Sequence, residues 1–504
     1  MNHNLYAHFA AALEASRACI ETPGGAALNG ADIARASARA ANALSARGLR
    51  PGERVSVIAE KSLEYLWLYL GCLRGGFVFH PLNPAYTTRE LGFFLGDAGT
   101  RLLVSDPALA ARVDPAAAAC RSLTGTLTLG ADGSGSFADA CADAGDDAPV
   151  CPRQGEDTAA LLYSSGTTGT PKGIRITHRN LYSNACALRD AWAFSPHDVL
   201  LHALPVFHVH GLFITLGPAL LAGTRLRLLT RFDADAVIDA LPGATMLAGV
   251  PTYYARLLAN PRFTREACRS VRVFISGSAP LSEATFHAFE ERTGQRILER
   301  YGMTETGINT SNPLDGVRKP GAVGPPLPGV ELRIVTPDGA PCATGEIGEI
   351  EVRGENVFPG YWQLPDATAA AFDAHGWFRT GDQGHLDDDG YLFIVGRSKD
   401  LVISGGLNVY PKEVERELET IPGIGEAAVF GVPHADFGEA VVAAIVADAP
   451  LDETAVLGAL RERLAAFKVP KRLLIGDELP RNAMGKVQKN VLRERHADLF
   501  LAAP

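Results

Sequence analysis

YSSGTTGTPKG, residues 163–173, places three glycines, two serines, three threonines and one lysine in eleven positions. A segment this rich in glycine makes neither a stable helix nor a stable strand. Backbone N–H groups left accessible by glycine, with hydroxyls and an ammonium beside them, form a cradle for a polyanion. The spacing differs from that of the common nucleotide loop, which needs four residues between its first glycine and a Gly-Lys pair. Here Gly166 and Gly169 are followed by Pro171-Lys172-Gly173. Ordinary turn chemistry on the surface is the competing account.

The sequence on either side of this loop alternates strands with helices. Upstream, ERVSVIAE (53–60), FVFHPLNP (77–84) and RLLVSD (101–106) read as strands, and SLEYLWLYLGCLRGG (62–76) reads as a helix ending at glycine. Leu5, Phe9 and Leu13 recur at helical spacing, and 32–50 also looks helical. Downstream, VLLHALP (199–205), TRLRLL (224–229), ATMLAGVP (244–251) and VRVFISGS (271–278) are candidate buried strands. Such alternation implies an α/β fold with a mostly parallel sheet covered on both faces. From 329 onward short strands and turns predict a small antiparallel β unit, and the last segment is again mixed. The expected organisation is a large N-terminal domain (1–396) of parallel-rich sheets with the small β unit. A small mobile α+β domain (397–504) follows. The stretch 107–150, rich in Ala, Gly and Asp, is expected to be variable and solvated. It holds a G-x-G-x-x-A match at Gly133 that reads as accidental, with no helix expected after it.

Composition narrows the partners. The 504 residues exceed one ordinary domain, and 47 basic against 57 acidic residues give a net charge of −10. No long basic run appears, so nucleic acid is an unsuitable partner. Cysteines 19, 72, 120, 141, 151, 186, 268 and 342 form no C-x-x-C pair, so neither a disulfide framework nor a zinc site is suggested. Reduced thiols fit a cytoplasmic location. The N-terminus has no basic start and reads as an amphipathic helix rather than a signal peptide. The longest apolar stretch, 211–223, is too short for a bilayer and is broken by Gly217 and Pro218.

Six separated motifs stand in one order: YSSGTTGTPKG, PVFHVHGLF (205–213), ERYGMTET (299–306), GWFRTGD (376–382), GRSKDLVISGGLNVYP (396–411) and PRNAMGKV (480–487). In that order they resemble the acyl-adenylate-forming enzymes, over nearly the whole chain. The resemblance implies attack of a substrate carboxylate on the α-phosphorus of ATP, then displacement of AMP by the thiol of coenzyme A. It assigns Ser164, Ser165, Gly166, Thr167, Thr168, Gly169 and Lys172 to the β- and γ-phosphates. Thr304 is placed on the α-phosphate, Glu305 on magnesium and Tyr301, with Gly302, at adenine. Asp382 is assigned to the two ribose hydroxyls. Arg397 is expected near ribose or phosphate, with a structural ion pair as the alternative. Lys486 is expected to bridge the carboxylate and the α-phosphate, which relieves their repulsion. Lys399 is implied as the hinge, and Gly405, Gly406 and Leu407 as the lining of a narrow pantetheine tunnel. Acetylation of Lys486 by a lysine acetyltransferase would remove the charge the first step needs.

The acyl pocket makes the reading more specific. Arg300 directly precedes Tyr301, and an arginine there is costly unless a second substrate carboxylate pairs with it. This pattern resembles the malonyl-CoA synthetases, with His208 and Ser278 as further donors and His208 also a candidate catalytic group. A salt bridge of Arg300 with Glu299 and plain packing of His208 are the bland alternatives. Val209 and Ile308 are expected beside carbon 2, where malonate-activating relatives often carry Thr and Met, so methylmalonate is a further candidate. The expected reaction is ATP-dependent ligation of malonate to coenzyme A, with oxalate, succinate or acetate as alternatives. A carrier-loading adenylation enzyme is disfavoured because no carrier segment follows Pro504. A non-catalytic nucleotide binder is disfavoured by the presence of Lys172, Glu305, Asp382 and Lys486 together. A serine hydrolase would carry G-x-S-x-G, which is missing.

Overall fold

The structure, a computed structural model, describes residues 2–15, 19–22, 27–164, 171–397, 400–404, 407–434, 437–447, 450–482 and 485–500, with only the backbone at positions 15, 19 and 408. Among the described residues the strands fall into four sheets. The strands of two large sheets follow the buried apolar runs of the N-terminal half. In one, Gly125–Thr128, Leu102–Ser105, Arg54–Ile58, Val78–Pro81 and Thr158–Ser164 lie parallel, and Lys172–Thr177 closes the edge antiparallel. The other runs in parallel through Leu298–Met303, Val273–Ser276, Met246–Gly249, Val199–His202, Arg225–Leu228 and Cys19–Glu21. Antiparallel strands flank it, Gly307–Ser311 on one edge and Ala27–Asn29 on the other. Central strands such as Val273–Ser276 are buried along their whole length, as parallel strands covered on both faces must be.

The small β unit is a four-stranded antiparallel sheet of Val330–Val335, Gly348–Gly354, Phe378–Leu386 and Leu392–Arg397. The next strand, Val402–Ser404, already belongs to a separate five-stranded sheet with its own apolar core. No helix among the described residues is long and apolar enough to cross a membrane. The helix Leu5–Ala15 buries Leu5, Phe9 and Leu13, as its periodicity predicts. Seven described cysteines are free thiols.

The stretch 107–150 corrects one expectation. Gly125–Thr128 extends a large sheet, and Val113, Leu127, Leu129 and Phe137 are buried. These apolar anchors are spaced too widely among Ala, Gly and Asp to show a period. A helix, Ser136–Ala142, does follow Gly133, contrary to the expectation. The Glu64 carboxylate packs against Gly133, and an acid there repels a pyrophosphate.

Candidate active site

The site is built on the antiparallel hairpin of Leu298–Met303 and Gly307–Ser311, whose turn carries Thr304 and Glu305. Helix His178–Ala191 fixes that hairpin. It starts with a reciprocal cap, in which Asn180 N–H donates to Thr177 Oγ1 (3.1 Å) and Thr177 N–H to Asn180 Oδ1 (2.9 Å). One turn on, Asn184 clamps the backbone of Ile308, donating to its carbonyl at 2.9 Å and accepting its N–H at 3.0 Å. Gly302 faces Ile308 across the hairpin so closely that a Cβ there would lie 2.0 Å from the Gly307 carbonyl oxygen.

At one end of the hairpin, polar groups gather around Glu305. Its carboxyl is buried, and burial raises its pKa. Ser164 Oγ donates to Glu305 Oε1 at 3.3 Å, and the Tyr361 hydroxyl stands beside the same carboxylate, where burial and then the Glu305 charge raise its pKa. Lys172 Nζ lies 4.9 Å from the centre of the Tyr361 ring. Ser164 and Lys172 pair across two antiparallel strands, so one end of the glycine-rich loop meets Glu305 and the other meets Tyr361. The loop residues Ser165, Gly166, Thr167, Thr168 and Gly169 lie outside the described residues. A buried carboxylate whose charge is poorly compensated, with a serine hydroxyl beside it, fits a magnesium ion that takes its other oxygens from phosphates. Among the described residues no group of three His, Cys, Asp or Glu could hold a metal alone.

Tyr301 donates its hydroxyl to Asp382 Oδ2 at 2.6 Å, and Arg397 Nε pairs with Asp382 Oδ1 at 3.0 Å. Asp382 and Arg397 are direct partners on neighbouring strands. The structural ion pair allowed for Arg397 is therefore present. Each carboxylate oxygen still has a lone pair for a further donor.

Arg300 faces the other side of its strand from Tyr301, as alternate residues do. It is 4% exposed, and its Nε and Nη2 have no hydrogen-bond partner. Burial lowers its pKa to about 9. The alternative of a salt bridge to Glu299 is not realised. Glu299 accepts the Leu281 N–H at 3.0 Å, and its Oε2 has no partner. Burial lifts that acid to about 7, and Lys412, Arg416 and Arg300 pull it only part of the way back.

Two histidines stand beside Arg300. Burial, then the Arg300 and Lys486 charges, lower His208 to about 4, so it is neutral at neutral pH. His210 N–H donates to His208 Nδ1 at 3.3 Å, which leaves the ring proton on Nε2. His210 Nδ1 lies 3.1 Å from Ser278 Oγ, and its Nε2 is buried without a partner. Ser278 holds φ at +71°, a left-handed conformation costly for a residue with a side chain. The histidines enter a π-helical turn, His210–Thr215, anchored from behind by Lys61. The Lys61 amine donates to the carbonyls of His202 (3.1 Å) and Leu204 (2.9 Å), and His202 Nε2 donates to the Gly211 carbonyl at 2.8 Å. Val209 lines a cavity with Thr304, Glu305 and Gly307, while Ile308 is packed in the core against Gly302.

The five-stranded unit reaches this site. Lys486 lies close enough to His208 to lower its pKa, and its N–H donates to Asn482 Oδ1 at 3.0 Å. Gly485 abuts Thr252, and Arg416 Nη2 donates to the Gly321 carbonyl at 3.3 Å with Glu283 at 3.7 Å from its Nε. Leu407 is exposed, while Gly405, Gly406 and Lys399 lie outside the described residues. Sequence reasoning missed Tyr361, which no motif marks, and the contact of His210 with Ser278. His210 stands in PVFHVHG two residues after His208, but the motif by itself does not show that it meets Ser278.

Comparisons with known proteins show the family of the chain. The AMP-binding enzyme family matches residues 7–362, and the AMP-binding enzyme C-terminal domain matches 413–486. The ATP-bound crystal structure of MatB from Rhodopseudomonas palustris superposes with a TM-score of 0.96 at 49% identity, covering 99% of this chain and 100% of that one. The apo structure of that protein gives 0.85 at the same identity and coverage. The present arrangement of the chain is thus nearer the ATP-bound form. A feruloyl-CoA synthase of an Amycolatopsis species is 38% identical over 94% of both chains. A malonate–CoA ligase of Arabidopsis thaliana is 36% identical over 89% of this chain and 78% of its own.

Proposed function

The chain belongs to the AMP-binding acyl-CoA ligases, and from that premise we propose that the acid it activates is malonate. The reaction is malonate, ATP and coenzyme A to malonyl-CoA, AMP and diphosphate, through a malonyl-adenylate. One observation carries this reading, the partnerless edge of the Arg300 guanidinium. Nε–H and Nη2–H project in parallel from one edge of the fork, the spacing that two carboxylate oxygens accept. A monoacid leaves both donors unpaired in a buried site, and the distal carboxylate of a short diacid pairs with both. Neutral His208 supplies a third donor from Nε2.

With the distal group held, the near carboxylate faces the nucleotide end of the hairpin. There Thr304 and Lys486 contact the α-phosphate, and Lys486 relieves the repulsion between the two reacting anions. Asp382 and Arg397 hold the ribose, Tyr301 and Gly302 border adenine, and Ser164, Lys172 and the loop between them bind the outer phosphates. Glu305 would hold the magnesium, which supplies neutralising charge to the triphosphate. The segment from 397 acts as a lid that turns about Lys399 after the first step. Gly405, Gly406 and Leu407 then line the pantetheine path.

The test is a panel of malonate, methylmalonate, succinate, oxalate and acetate at equal concentration with ATP and CoA, scored by pyrophosphate release. Malonate is expected to lead. Arg300→Ala should lower kcat/KM for malonate roughly 10²–10⁴-fold, the worth of two charge-assisted hydrogen bonds, with KM for ATP unchanged. Retained malonate use in that variant, or preference for acetate in the parent, overturns the reading. The second reading is ligation of another short acid. It rests on the feruloyl-CoA synthase, a relative at a similar level of identity whose name gives a different acid, so this level of similarity leaves the acid open.

A further inference from the structure

Arg300 owes its position to a residue with no side chain. The strand Val273–Ser276 runs parallel to Leu298–Met303, with Ser276 opposite Glu299, so Gly277 is level with Arg300 where the ladder ends. A Cβ on Gly277 would lie 2.3 Å from Arg300 Cζ and 2.5 Å from both Nε and Nη1. The central carbon is nearest and two nitrogens are equidistant, so the contact is with the flat face of the guanidinium. The edge bearing Nε–H and Nη2–H remains open. The three nearest atoms all belong to Arg300, so relieving the collision moves that head group by about 1 Å, to the ordinary contact distance of 3.4 Å.

We propose that Gly277 is a specificity-determining residue: its bare α-carbon is the floor on which the Arg300 guanidinium lies, and it fixes where the distal carboxylate binds. The inference rests on the malonate reading above. It deepens that reading by saying how a buried arginine is held without an acid partner. Gly277 is buried, and its φ lies outside the left-handed region, so its backbone accepts alanine and the added methyl acts through Arg300. Arg300 has no solvent to retreat into, since it is enclosed beside His208, His210 and Tyr254.

Gly277→Ala is expected to raise KM for malonate on the order of 10²-fold, the size of loss that misplacing a positioning group by about 1 Å can cause. KM for ATP and turnover of acetate should stay within about twofold. In an Arg300→Lys background, where no flat head group meets the new methyl, the same substitution should add little. An unchanged KM for malonate, or an equal loss in both backgrounds, overturns the proposal. So does loss of ATP binding along with malonate use, which would make Gly277 a general packing glycine. Failure of the malonate reading is seen separately, on the unmutated chain, as a lack of malonate preference in the acid panel.

Discussion

Arg300 combines a full charge, near-complete burial and two unpartnered donors. Each unsatisfied buried donor costs on the order of 1–3 kcal/mol, more when charged. A site that keeps such a group gives up stability for recognition. Replacing Arg300 with methionine, of similar length and no charge, should therefore raise the urea midpoint of unfolding while abolishing malonate use, a gain on the order of 1–3 kcal/mol. A lower midpoint in Arg300→Met would mean that the guanidinium has an acid partner in the resting enzyme. The residue could be picked out from its place before Tyr301. Its lack of a partner could not, because Glu299 is adjacent in sequence yet turned to the opposite face of the strand.

The hairpin Leu298–Met303 to Gly307–Ser311 carries both halves of the site, with Arg300 and Tyr301 on opposite faces of one strand and Thr304 and Glu305 in the turn. Its register depends on Asn184, whose amide both donates to and accepts from Ile308. Asn184→Asp keeps the acceptor and loses the donor, leaving the Ile308 carbonyl beside a buried carboxylate. The expected outcome is a destabilisation of about 1–3 kcal/mol and a raised KM for ATP, since the turn bearing Thr304 and Glu305 shifts. Denaturant titration and pyrophosphate-release kinetics check the two effects, and a stability loss with KM for ATP unchanged would show that the turn holds its place unaided. ERYGMTET marks the hairpin in the sequence. Asn184, more than a hundred residues away on a helix, carries no local mark of the clamp.

Among the described residues, four buried histidines and the half-buried His208, five in all, are held neutral. Burial lowers His80 and His202 to about 3 and His178 and His208 to about 4, and takes His210 well down. In the unfolded chain each titrates near 6.5. Above that value both states are neutral and stability is level. As pH falls through 6.5 toward 4 the unfolded chain takes up protons that the fold refuses, so stability drops by up to about 1.4 kcal/mol per unit for each histidine. Glu299, held near 7, gains its proton first in the fold and offsets one of the five; Glu305 shifts in the same sense. The net expectation is a clearly lower urea midpoint at pH 5.5 than at pH 7.5, and equal midpoints would show that the imidazoles are not held neutral.

From residue order alone the chain revealed its alternating strands, its small antiparallel unit and six motifs that mark the chemistry. Those signals are local, because apolar period, glycine content and motif spacing are properties of short windows. Tertiary structure decided which groups meet. Residues 107–150 join a large sheet because a few separated apolar side chains find a common core. Glu305 collects Ser164 and Tyr361 from two distant segments, and Gly277 and Arg300 touch only because two parallel strands end side by side. Contacts between segments far apart in sequence depend on how the sheets stack, which no short window encodes.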